Sequence, residues 1–438
     1  MADGSQINFF KGHPSARLLP RQSIIKSTTD LLEPEHREYD LSPEDRHPLT
    51  YGCEQGSLWV RAAIARLINE CYCPEKATRA EHINLTGGAS YGIMNILMQT
   101  TLPHAGYTRR AFLVSPTYFL INQIFLDAGF GGRMTAVRES LDGQLDLEYL
   151  AEKLAEFDGE PASAELLEQP QRSPPKRTYR YVMYLIPTYS NPSGSTYSLE
   201  TRMCLVELAR RYDMLLISDD IYDLLAYDQP LEEMPHALPS IVHLDRATLN
   251  DPQESWGHTV ANATFSKIIA PGLRCGYQES VNSRLVEQLA NGGANVSGGS
   301  PAQLNSMIIA TLISTGELVH ILQTLRRAYK ERAETLYRAV REHLPAATEY
   351  RAQNGGYFSW CTLPEGYSSE VICRTLQHDY GVVLASGSHF EVSNDELGWG
   401  RRSVRLSVSF LEPNEIAEGI RRFGVVCRQH ATALGLPF

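Results

Sequence analysis

Short apolar runs alternate along this chain with stretches of helical periodicity. The runs lie at residues 83–85, 111–115, 181–187 and 214–218, and each leads into a polar loop. Near-continuous apolar strands of this kind are typical of a sheet that helices cover on both faces. Strand, loop and helix in repeated succession therefore predict an α/β fold with a mostly parallel sheet.

Helical periodicity is clearest in two stretches. The first runs from about residue 57 to residue 70, and we expect it to end before the CYCPE segment, where Pro74 stops the helix. The second is long and charged and occupies residues 320–344. Short strands and a final helix follow it, which is the pattern of a second, smaller α+β unit.

These patterns predict how the chain is divided. We expect a large domain at residues 51–316 and a small domain at residues 317–438, with residues 1–50 contributing to the small domain. Residues 156–180 and 228–257 are rich in proline or charge and lack an apolar period, so they are predicted to be solvated surface insertions.

Composition narrows the class of protein. The chain has 438 residues, of which 43% are hydrophobic and 21% charged, as in a soluble globular protein. Its net charge of −11 argues against a nucleic-acid partner, and no apolar run reaches the length of about 18 residues that would indicate a membrane span. The N-terminus lacks a secretory apolar region, so we expect a cytoplasmic protein. Its eight cysteines, with no CxxC pair, are expected to be reduced thiols that bind no metal.

The loop TFSKIIAPGLRCG, at residues 264–276, carries the strongest chemical signal. The hydroxyls of Thr264 and Ser266, a Pro-Gly turn and the guanidinium of Arg274 together make a phosphate cradle. Lys267 beside such a cradle can form a Schiff base with a phosphorylated aldehyde. A lysine taken alone is more often solvated, so the loop by itself leaves both interpretations open.

Other polar residues follow predicted strands and suit the same chemistry. Asp219 can pair with a pyridinium nitrogen and Tyr222 can reach a phenolic oxygen, although a helix N-cap with a packing tyrosine is the alternative. Asn191 lies in an Asn-Pro turn, where turn chemistry is the alternative. Arg405 is either an edge charge or a cation for a substrate carboxylate. The turn at residues 88–90 opens a helix whose free N–H groups favour an anion.

With the motifs NPSG, DDIY and RLS in this order, the sequence resembles the fold-type I, pyridoxal-phosphate-dependent aminotransferases. It is most similar to the branch of kynurenine/2-aminoadipate, aromatic and LysN-type enzymes. The likeness extends from the GHP at residues 12–14 to the RLSVS strand, and the lysine loop matches the family pattern almost position for position. The resemblance implies a large domain with a seven-stranded type of sheet between helices, and a smaller α+β domain.

The resemblance also implies a role for each matching residue. Residues expected in catalysis are Lys267, Asp219 and Tyr222. Residues expected to bind pyridoxal phosphate are Tyr51, Ala89, Ser90, Tyr118, Asn191, Asp219, Tyr222, Thr264, Ser266, Lys267 and Arg274. Residues expected to bind the substrate are Gly12, His13, Asn191 and Arg405. The segment at residues 1–50 would thus contribute to the substrate site. Tyr51 matches a tyrosine that reaches the neighbouring subunit's phosphate, which implies a homodimer with shared active sites.

Within this set, the resemblance assigns particular contacts. Lys267 would hold the cofactor covalently, Asp219 would keep the ring nitrogen protonated, and Tyr118 would stack on the ring. Asn191 and Tyr222 would hydrogen-bond the ring oxygen. Arg405 would bind the α-carboxylate of the substrate.

The sequence departs from the family pattern at three places. Many relatives have Gly-Ser-Gln where this chain has Gly-Ala-Ser at residues 88–90, so one side-chain phosphate ligand is missing. Ser386 and Gly387 replace the usual Pro-Gly. His13 lies near the expected substrate side chain, where it is either an inert loop residue or one that tunes substrate choice or reaction type.

The leading hypothesis is transfer of the amino group of an L-amino acid to a 2-oxo acid such as 2-oxoglutarate, in ping-pong order. Candidate donors are 2-aminoadipate, kynurenine, aromatic and branched-chain amino acids. A lyase, cyclase or oxidase with the same cofactor is the alternative within enzymes. A ligand-sensing regulator is disfavoured, because the resemblance begins at about residue 8 and leaves no room for a preceding helix-turn-helix.

Overall fold

The structure is a computed structural model that describes residues 6–33, 39–140, 142–160, 176–251, 255–299 and 302–438. Its strands are β1 (Ile7–Asn8), β2 (Ile83–Thr86), β3 (Arg110–Ser115), β4 (Met134–Arg138), β5 (Tyr181–Leu185), β6 (Met214–Asp219), β7 (Thr259–Thr264), β8 (Gly276–Ser280), β9 (Glu349–Tyr350), β10 (Phe358–Thr362), β11 (Val382–Val383), β12 (Ala385–Ser386) and β13 (Ser403–Ser407). Its helices are α1 (Arg21–Leu32), α2 (Leu58–Tyr72), α3 (Ala89–Thr100), α4 (Ile121–Phe125), α5 (Leu147–Gly159), α6 (Leu199–Tyr212), α7 (Ile241–Thr248), α8 (Ser283–Ala290), α9 (Gln303–Ser314), α10 (Glu317–His343), α11 (Ser369–Asp379) and α12 (Pro413–Leu434).

In the described part of the chain, the larger sheet has seven strands in the order β2-β8-β7-β6-β5-β3-β4. The strands from β7 to β4 in this order are parallel, and β8 is antiparallel to both of its neighbours. β5 and β6 are buried along their whole length, as strands between two layers of helices must be. The predicted α/β fold with a mostly parallel sheet is confirmed.

Alternate residues of β6 fill two hydrophobic cores on opposite faces of this sheet. Leu215 and Ile217 belong to the larger core, and Met214 and Leu216 belong to the smaller one. Because both faces are apolar, polar side chains collect at the carboxyl end of the strand, where β6 ends in Asp219. The end of this strand is therefore available for chemistry, as expected for open α/β sheets.

A second sheet has the order β12-β13-β10-β9 and is antiparallel. β1 pairs in parallel with β11, with Ile7 opposite Val382, so the N-terminal segment lies beside a C-terminal strand. The long charged helix predicted at residues 320–344 is α10, which packs on α12. The domain boundaries after residues 50 and 316 stay predictions.

Two expectations about boundaries are wrong. α2 continues through Cys71 to Tyr72, and Cys73 takes a left-handed conformation with φ +44° that ends the helix. Pro74 therefore lies after the cap and does not shorten the last turn. Residues 241–248, within the predicted insertion at 228–257, form α7, whose Ile241 and Val242 are fully buried.

The other predicted insertion, at residues 156–180, is only partly described, because residues 161–175 lie outside the described ranges. Its start is the end of α5, where Phe157 packs in the smaller core. Its end includes Tyr179, which is fully buried and donates its hydroxyl to the carbonyl oxygen of Gly257 over 2.9 Å. The described ends of this segment are therefore packed at Phe157 and Tyr179, whereas residues 156 and 158–160 are exposed, as expected for a surface segment.

Within the described residues, no single helix has the length and apolar character needed to cross a membrane. α9 and α10 meet the same criterion only as a pair, and they are bent by 85° where they meet. Met307 and Ile309 of α9 lie in the larger core.

Candidate active site

The floor of the candidate site is the carboxylate of Asp219, which is 1% exposed. Asn262 lies opposite Asp219 in the pairing of β6 with β7, and its Nδ2 donates to Oδ1 over 2.8 Å. Tyr184, on β5, donates its hydroxyl to Oδ2 over 2.8 Å. Burial raises the pKa of Asp219 to about 7, against the lowering effect of these two hydrogen bonds. A cation placed against this carboxylate would be strongly favoured.

Tyr184 and Asn262 were not among the residues predicted from the sequence. Each is a polar residue inside a buried strand, and such a side chain needs a partner. The sequence shows such a polar residue in each strand, Tyr184 in YVMYL and Asn262 in TVANAT. Only the pairing of these strands with β6 shows that their partner is Asp219.

Lys267 follows the end of β7 and reaches the same site. Its Nζ donates to the carbonyl oxygen of Gly12 over 2.9 Å and lies 5.4 Å from the centroid of the Tyr357 ring. Burial and then repulsion from Arg405 lower the pKa of Lys267 to about 8, although Asp219 acts in the opposite direction. The amine is thus neutral, and nucleophilic, at a lower pH than a solvated lysine would be.

The hydroxyls and the guanidinium of the lysine loop lie close together. Thr264 Oγ1 donates to Ser266 Oγ over 2.9 Å, and Arg274 Nη1 donates to the same Oγ over 3.4 Å. Nη2 of Arg274 donates to the carbonyl oxygen of Gly87 over 3.2 Å. The loop therefore lies directly against the turn that opens α3.

This turn places free N–H groups at the start of α3, beside the lysine loop. Gly88 has φ +108°, and no side chain caps the helix, so the first-turn N–H groups of Ala89 and Ser90 are available to a ligand. A Cβ on Gly88 would lie 2.6 Å from Nη2 of Arg274. The space between the helix and the guanidinium is therefore narrow and has room only for a glycine.

Arg405 lies on β13, between β12 and β10, so it is not an edge charge. It is 2% exposed; Nη1 donates to Asn191 Oδ1 over 3.0 Å and Nη2 to the carbonyl oxygen of Phe10 over 2.6 Å. Nε is buried without a hydrogen-bond partner among the described residues. The guanidinium lies 4.0 Å from the Phe358 ring and 4.9 Å from the Phe390 ring. Burial lowers the pKa of Arg405 to about 10.

Two tyrosines lie near these charges. Tyr222 is buried in a turn after β6 and not in a helix, with its ring centroid 5.3 Å from that of Tyr357. Tyr118 is partly buried, and burial raises its pKa, with smaller effects from the nearby charges of Asp219 and Arg405. Tyr118 and Tyr222, which the sequence predicts to contact the cofactor ring, therefore lie near Asp219 and Arg405.

The predicted substrate residues near the N-terminus differ in their surroundings. Gly12 is closely packed, since a Cβ on it would lie 2.7 Å from Cζ of Phe358. His13 is exposed, lies against the Phe410 ring at 5.2 Å, and has Nδ1 3.0 Å from the carbonyl oxygen of Pro14. Gly12 therefore contacts Lys267 through its carbonyl oxygen, whereas the ring of His13 packs against Phe410.

Tyr51 is 74% exposed. It shares a cavity of about 370 Å³ with Gly87, Arg274 and Gly298. Because Arg274 and Gly87 line this cavity, the surface around Tyr51 lies beside the predicted phosphate position.

Comparison with known proteins gives a consistent result. The family profile described as aminotransferase class I and II matches residues 35–423. An uncharacterized protein of Saccharomyces cerevisiae, YER152C, is 51% identical over 434 residues, which cover 97% of this chain and 98% of that protein. The 2-aminoadipate transaminase of Thermus thermophilus is 28% identical over 419 residues, covering 95% of this chain and 89% of that protein.

A solved structure shows the same fold. LysN, the α-aminoadipate aminotransferase of Thermus thermophilus crystallised with N-(5'-phosphopyridoxyl)-L-leucine, is similar with a TM-score of 0.73 and 24% identity. The match covers 98% of this chain and 93% of that chain. The fold-type I arrangement implied by the sequence motifs is confirmed.

Proposed function

This chain belongs to the class I and II aminotransferases, and on that premise we propose that it moves the amino group of an L-amino acid to a 2-oxo acid such as 2-oxoglutarate. The enzyme is a pyridoxal-phosphate-dependent transaminase. We propose a ping-pong order, with 2-aminoadipate, kynurenine, aromatic or branched-chain amino acids as donors and the cytoplasm as the compartment. The observation that carries the proposal is the arrangement of Lys267, Asp219 and Arg405 around one buried site.

Pyridoxal phosphate supplies an aldehyde carbon for an amine and a ring that accepts electrons from the substrate. The residues present fit it, because the uncapped start of α3 lies beside the guanidinium of Arg274 and the hydroxyl of Ser266, which are the kinds of donor that bind a phosphate. Thr264 and Ser266 would bind the same phosphate with Ala89 and Ser90. Side chains proposed for the ring are Asp219 at its nitrogen, Asn191 and Tyr222 at its oxygen, and Tyr118 on its face.

Asp219 would act by holding a proton in place. Its carboxylate is buried and already receives hydrogen bonds from Tyr184 and Asn262, which fix both oxygens. A protonated nitrogen against it would lower the pKa of Asp219 and keep the carboxylate ionised. The pair would then stabilise negative charge that develops on the substrate side.

Lys267 would move the proton that is central to the reaction. Its amine, with a pKa lowered to about 8, can take a proton from the substrate α-carbon as general base and, as general acid, would deliver it to the carbon that the cofactor's aldehyde supplies. The carbonyl oxygen of Gly12 holds Nζ at 2.9 Å and so keeps the amine inside the site.

Arg405 would orient the substrate. Its Nε, buried and unpartnered among the described residues, is one donor for the α-carboxylate, and Asn191 holds Nη1 in place. The rings of Phe358 and Phe390 shield the guanidinium from water, which strengthens its attraction for an anion. The α-carbon would thereby be fixed within reach of Lys267 Nζ.

We also propose a homodimer with shared sites. Tyr51 is exposed beside the predicted phosphate position, which supports a contact with the phosphate of a second copy. His13 remains a proposed substrate-side residue, supported by its place next to Gly12.

The test of this function is a half-reaction screen. The purified holoenzyme is mixed with single amino acids and no oxo acid, and the visible absorbance of the bound cofactor is followed. A true donor is expected to shift the absorbance to that of pyridoxamine phosphate, and 2-oxoglutarate is expected to restore it. Release of ammonia, peroxide or a cyclised product without the pyridoxamine form would contradict transfer and favour the lyase, cyclase or oxidase alternative.

A further inference from the structure

Four polar side chains lie opposite one another in a row across the larger sheet. Asn84 of β2 is opposite Gln278 of β8. Gln278 is also opposite Asn262 of β7, which in turn is opposite Asp219 of β6. The three amide residues of this row are fully buried. Because residues opposite each other in paired strands point to the same face of a sheet, the row crosses one face, among strands that are otherwise largely apolar.

The amides of this row hold the start of α3. Nδ2 of Asn262 donates to the carbonyl oxygen of Ala89 over 3.2 Å, and Nε2 of Gln278 donates to that of Gly92 over 2.8 Å. A Cβ on Gly92 would overlap Oδ1 of Asn262, so the helix rests directly on the amides. Ala89 and Gly92 lie in the first turn of α3, whose free N–H groups are proposed to bind the phosphate.

Asn262 also holds Asp219. The same Nδ2 donates to Oδ1 of Asp219 over 2.8 Å, and because an amide nitrogen carries two hydrogens it serves both acceptors at once. The orientation of the amide is thereby fixed, since the reverse orientation would place its oxygen against two acceptors. Tyr184, the other donor to this carboxylate, comes from β5, which lies on the other side of β6 from β7 and β8.

Stability alone does not account for the row. Oδ1 of Asn262 and Oδ1 of Asn84 are buried without a hydrogen-bond partner among the described residues. An unpaired buried acceptor costs free energy that an apolar side chain of similar size would avoid. A row that carries this cost, and whose donors point to α3 and to Asp219, indicates a role in positioning these two parts of the site.

We propose that Asn262 is a positioning residue that fixes the start of α3 relative to Asp219, so that the phosphate end and the ring-nitrogen end of pyridoxal phosphate are held at one spacing. This inference rests on the cofactor contacts proposed above for Asp219 and α3. With the two ends preorganised, a rigid ligand that occupies one end finds the other already in place, and it binds without a cost for moving either.

The test compares pyridoxal phosphate with pyridoxal, which lacks the phosphate, by absorbance titration of the cofactor-free full chain. We expect Asn262→Leu to weaken pyridoxal binding by about 10-fold and pyridoxal phosphate binding by about 50-fold, so that the preference for the phosphorylated form falls about fivefold. Tyr184→Phe, which acts at the ring end alone, is expected to weaken both by the same factor. Asn95→Leu removes a buried amide of α3 that donates to Leu289 instead, and this matched control is expected to change neither affinity.

A second measurement reads the ring nitrogen directly, as the chemical shift of holoenzyme whose cofactor is isotopically labelled at that atom. The hydrogen bond from Asn262 lowers the pKa of Asp219, so its loss raises that pKa and draws the proton from the ring nitrogen toward the carboxylate. The signal should move toward that of the unprotonated ring in Asn262→Leu and Tyr184→Phe. It should stay in place in Asn95→Leu.

Gln278→Leu completes the set, because Gln278 contacts α3 and not Asp219, and it is expected to lower the preference for phosphate without moving the nitrogen signal. Equal losses of pyridoxal and pyridoxal phosphate in Asn262→Leu, or an unmoved nitrogen signal, would overturn the inference and leave the proposed cofactor contacts intact. Where the leucine variant does not fold, Asn262→Ala removes the same donors without adding atoms beside Gly92. Failure of the unchanged protein to bind pyridoxal phosphate would contradict the proposed function and the inference together.

Discussion

At the scale of single residues, the active site keeps two cations buried without neutralising either. Lys267 and Arg405 repel each other, and each donates to a backbone carbonyl of the N-terminal segment, at Gly12 and Phe10. A carbonyl oxygen satisfies a donor but carries no full charge, so both cations remain available to anions or an aldehyde. This arrangement fits a site whose amine must be nucleophilic and whose guanidinium must bind a carboxylate.

The first prediction concerns the pH dependence of Lys267. Repulsion from Arg405 lowers the pKa of Lys267, so Arg405→Leu should raise that pKa and reduce the neutral fraction of the amine at a given pH. The midpoint of the pH profile for cofactor capture should move up from near 8 by about one pH unit. The measurement is the rate at which cofactor-free protein captures pyridoxal phosphate, trapped with borohydride at each pH.

The control for this change is Arg374→Leu, which removes an exposed guanidinium on α11 and should leave the profile unchanged. A midpoint that stays fixed or moves to lower pH in Arg405→Leu would contradict the electrostatic coupling of the two residues.

The sequence was sufficient for residues whose type and spacing reflect the chemistry. Lys267, Arg274 and Asp219 were each predicted, and the structure brings them together. Tyr184 and Asn262 were not, because they act on Asp219 from neighbouring strands, at positions fixed only by the sheet register. Contacts across a sheet are not encoded in local spacing.

At the scale of elements, the proposed phosphate site depends on how α3 begins. The strand β2 ends at Thr86, and Gly88 then takes a conformation that side chains rarely adopt, which aims the first turn of α3 at Arg274. Two features require a glycine at this position: the positive φ of Gly88, and the guanidinium of Arg274, which leaves no space for a Cβ. This turn and the lysine loop come from distant parts of the sequence.

Gly88→Ala tests this requirement. The added Cβ would be strained at φ +108° and would displace Arg274, at a cost of about 1–3 kcal/mol. We expect the Kd of pyridoxal phosphate to rise about 10- to 100-fold, measured by absorbance titration of cofactor-free protein.

Gly272→Ala is the matched control, because it lies in the lysine loop, has ordinary φ, and its Cβ would meet no atom within 4 Å. Equal affinity for the cofactor in Gly88→Ala and Gly272→Ala would show that the start of α3 does not bind the phosphate.

Element boundaries were harder to predict than element types. Pro74 was expected to end α2 early, but a left-handed Cys73 lets the helix continue to Tyr72. Because residues 228–257 are rich in proline, the sequence did not predict α7, an eight-residue helix that is stabilised by packing on α6. The end of α2 was decided by the conformation of one residue, and α7 by tertiary packing that a single sequence window does not contain.

At the scale of the whole molecule, the N-terminal segment links the two sheets at the active site. β1 pairs with β11, and the carbonyl oxygens of residues that follow it accept hydrogen bonds from Arg405 of the second sheet and from Lys267 after β7. The sequence predicted that residues 1–50 contribute to the substrate site, and the contacts of Phe10 and Gly12 support this. The sequence did not show which backbone groups make the link, because carbonyl contacts carry no residue signature.

The last prediction tests shared sites by complementation. In a homodimer whose phosphate site uses Tyr51 from the other copy, chains with Tyr51→Ala and chains with Lys267→Ala are each inactive or nearly so. Unfolding and refolding them together at equal amounts makes half of the dimers hybrid, and each hybrid has one site with both native residues. Activity should therefore return to about a quarter of the unmutated level. Failure to regain activity, with each refolded chain shown to be native by circular dichroism, would place Tyr51 outside the partner's site, whereas full activity of Tyr51→Ala alone would show that the exposed tyrosine does not serve the phosphate.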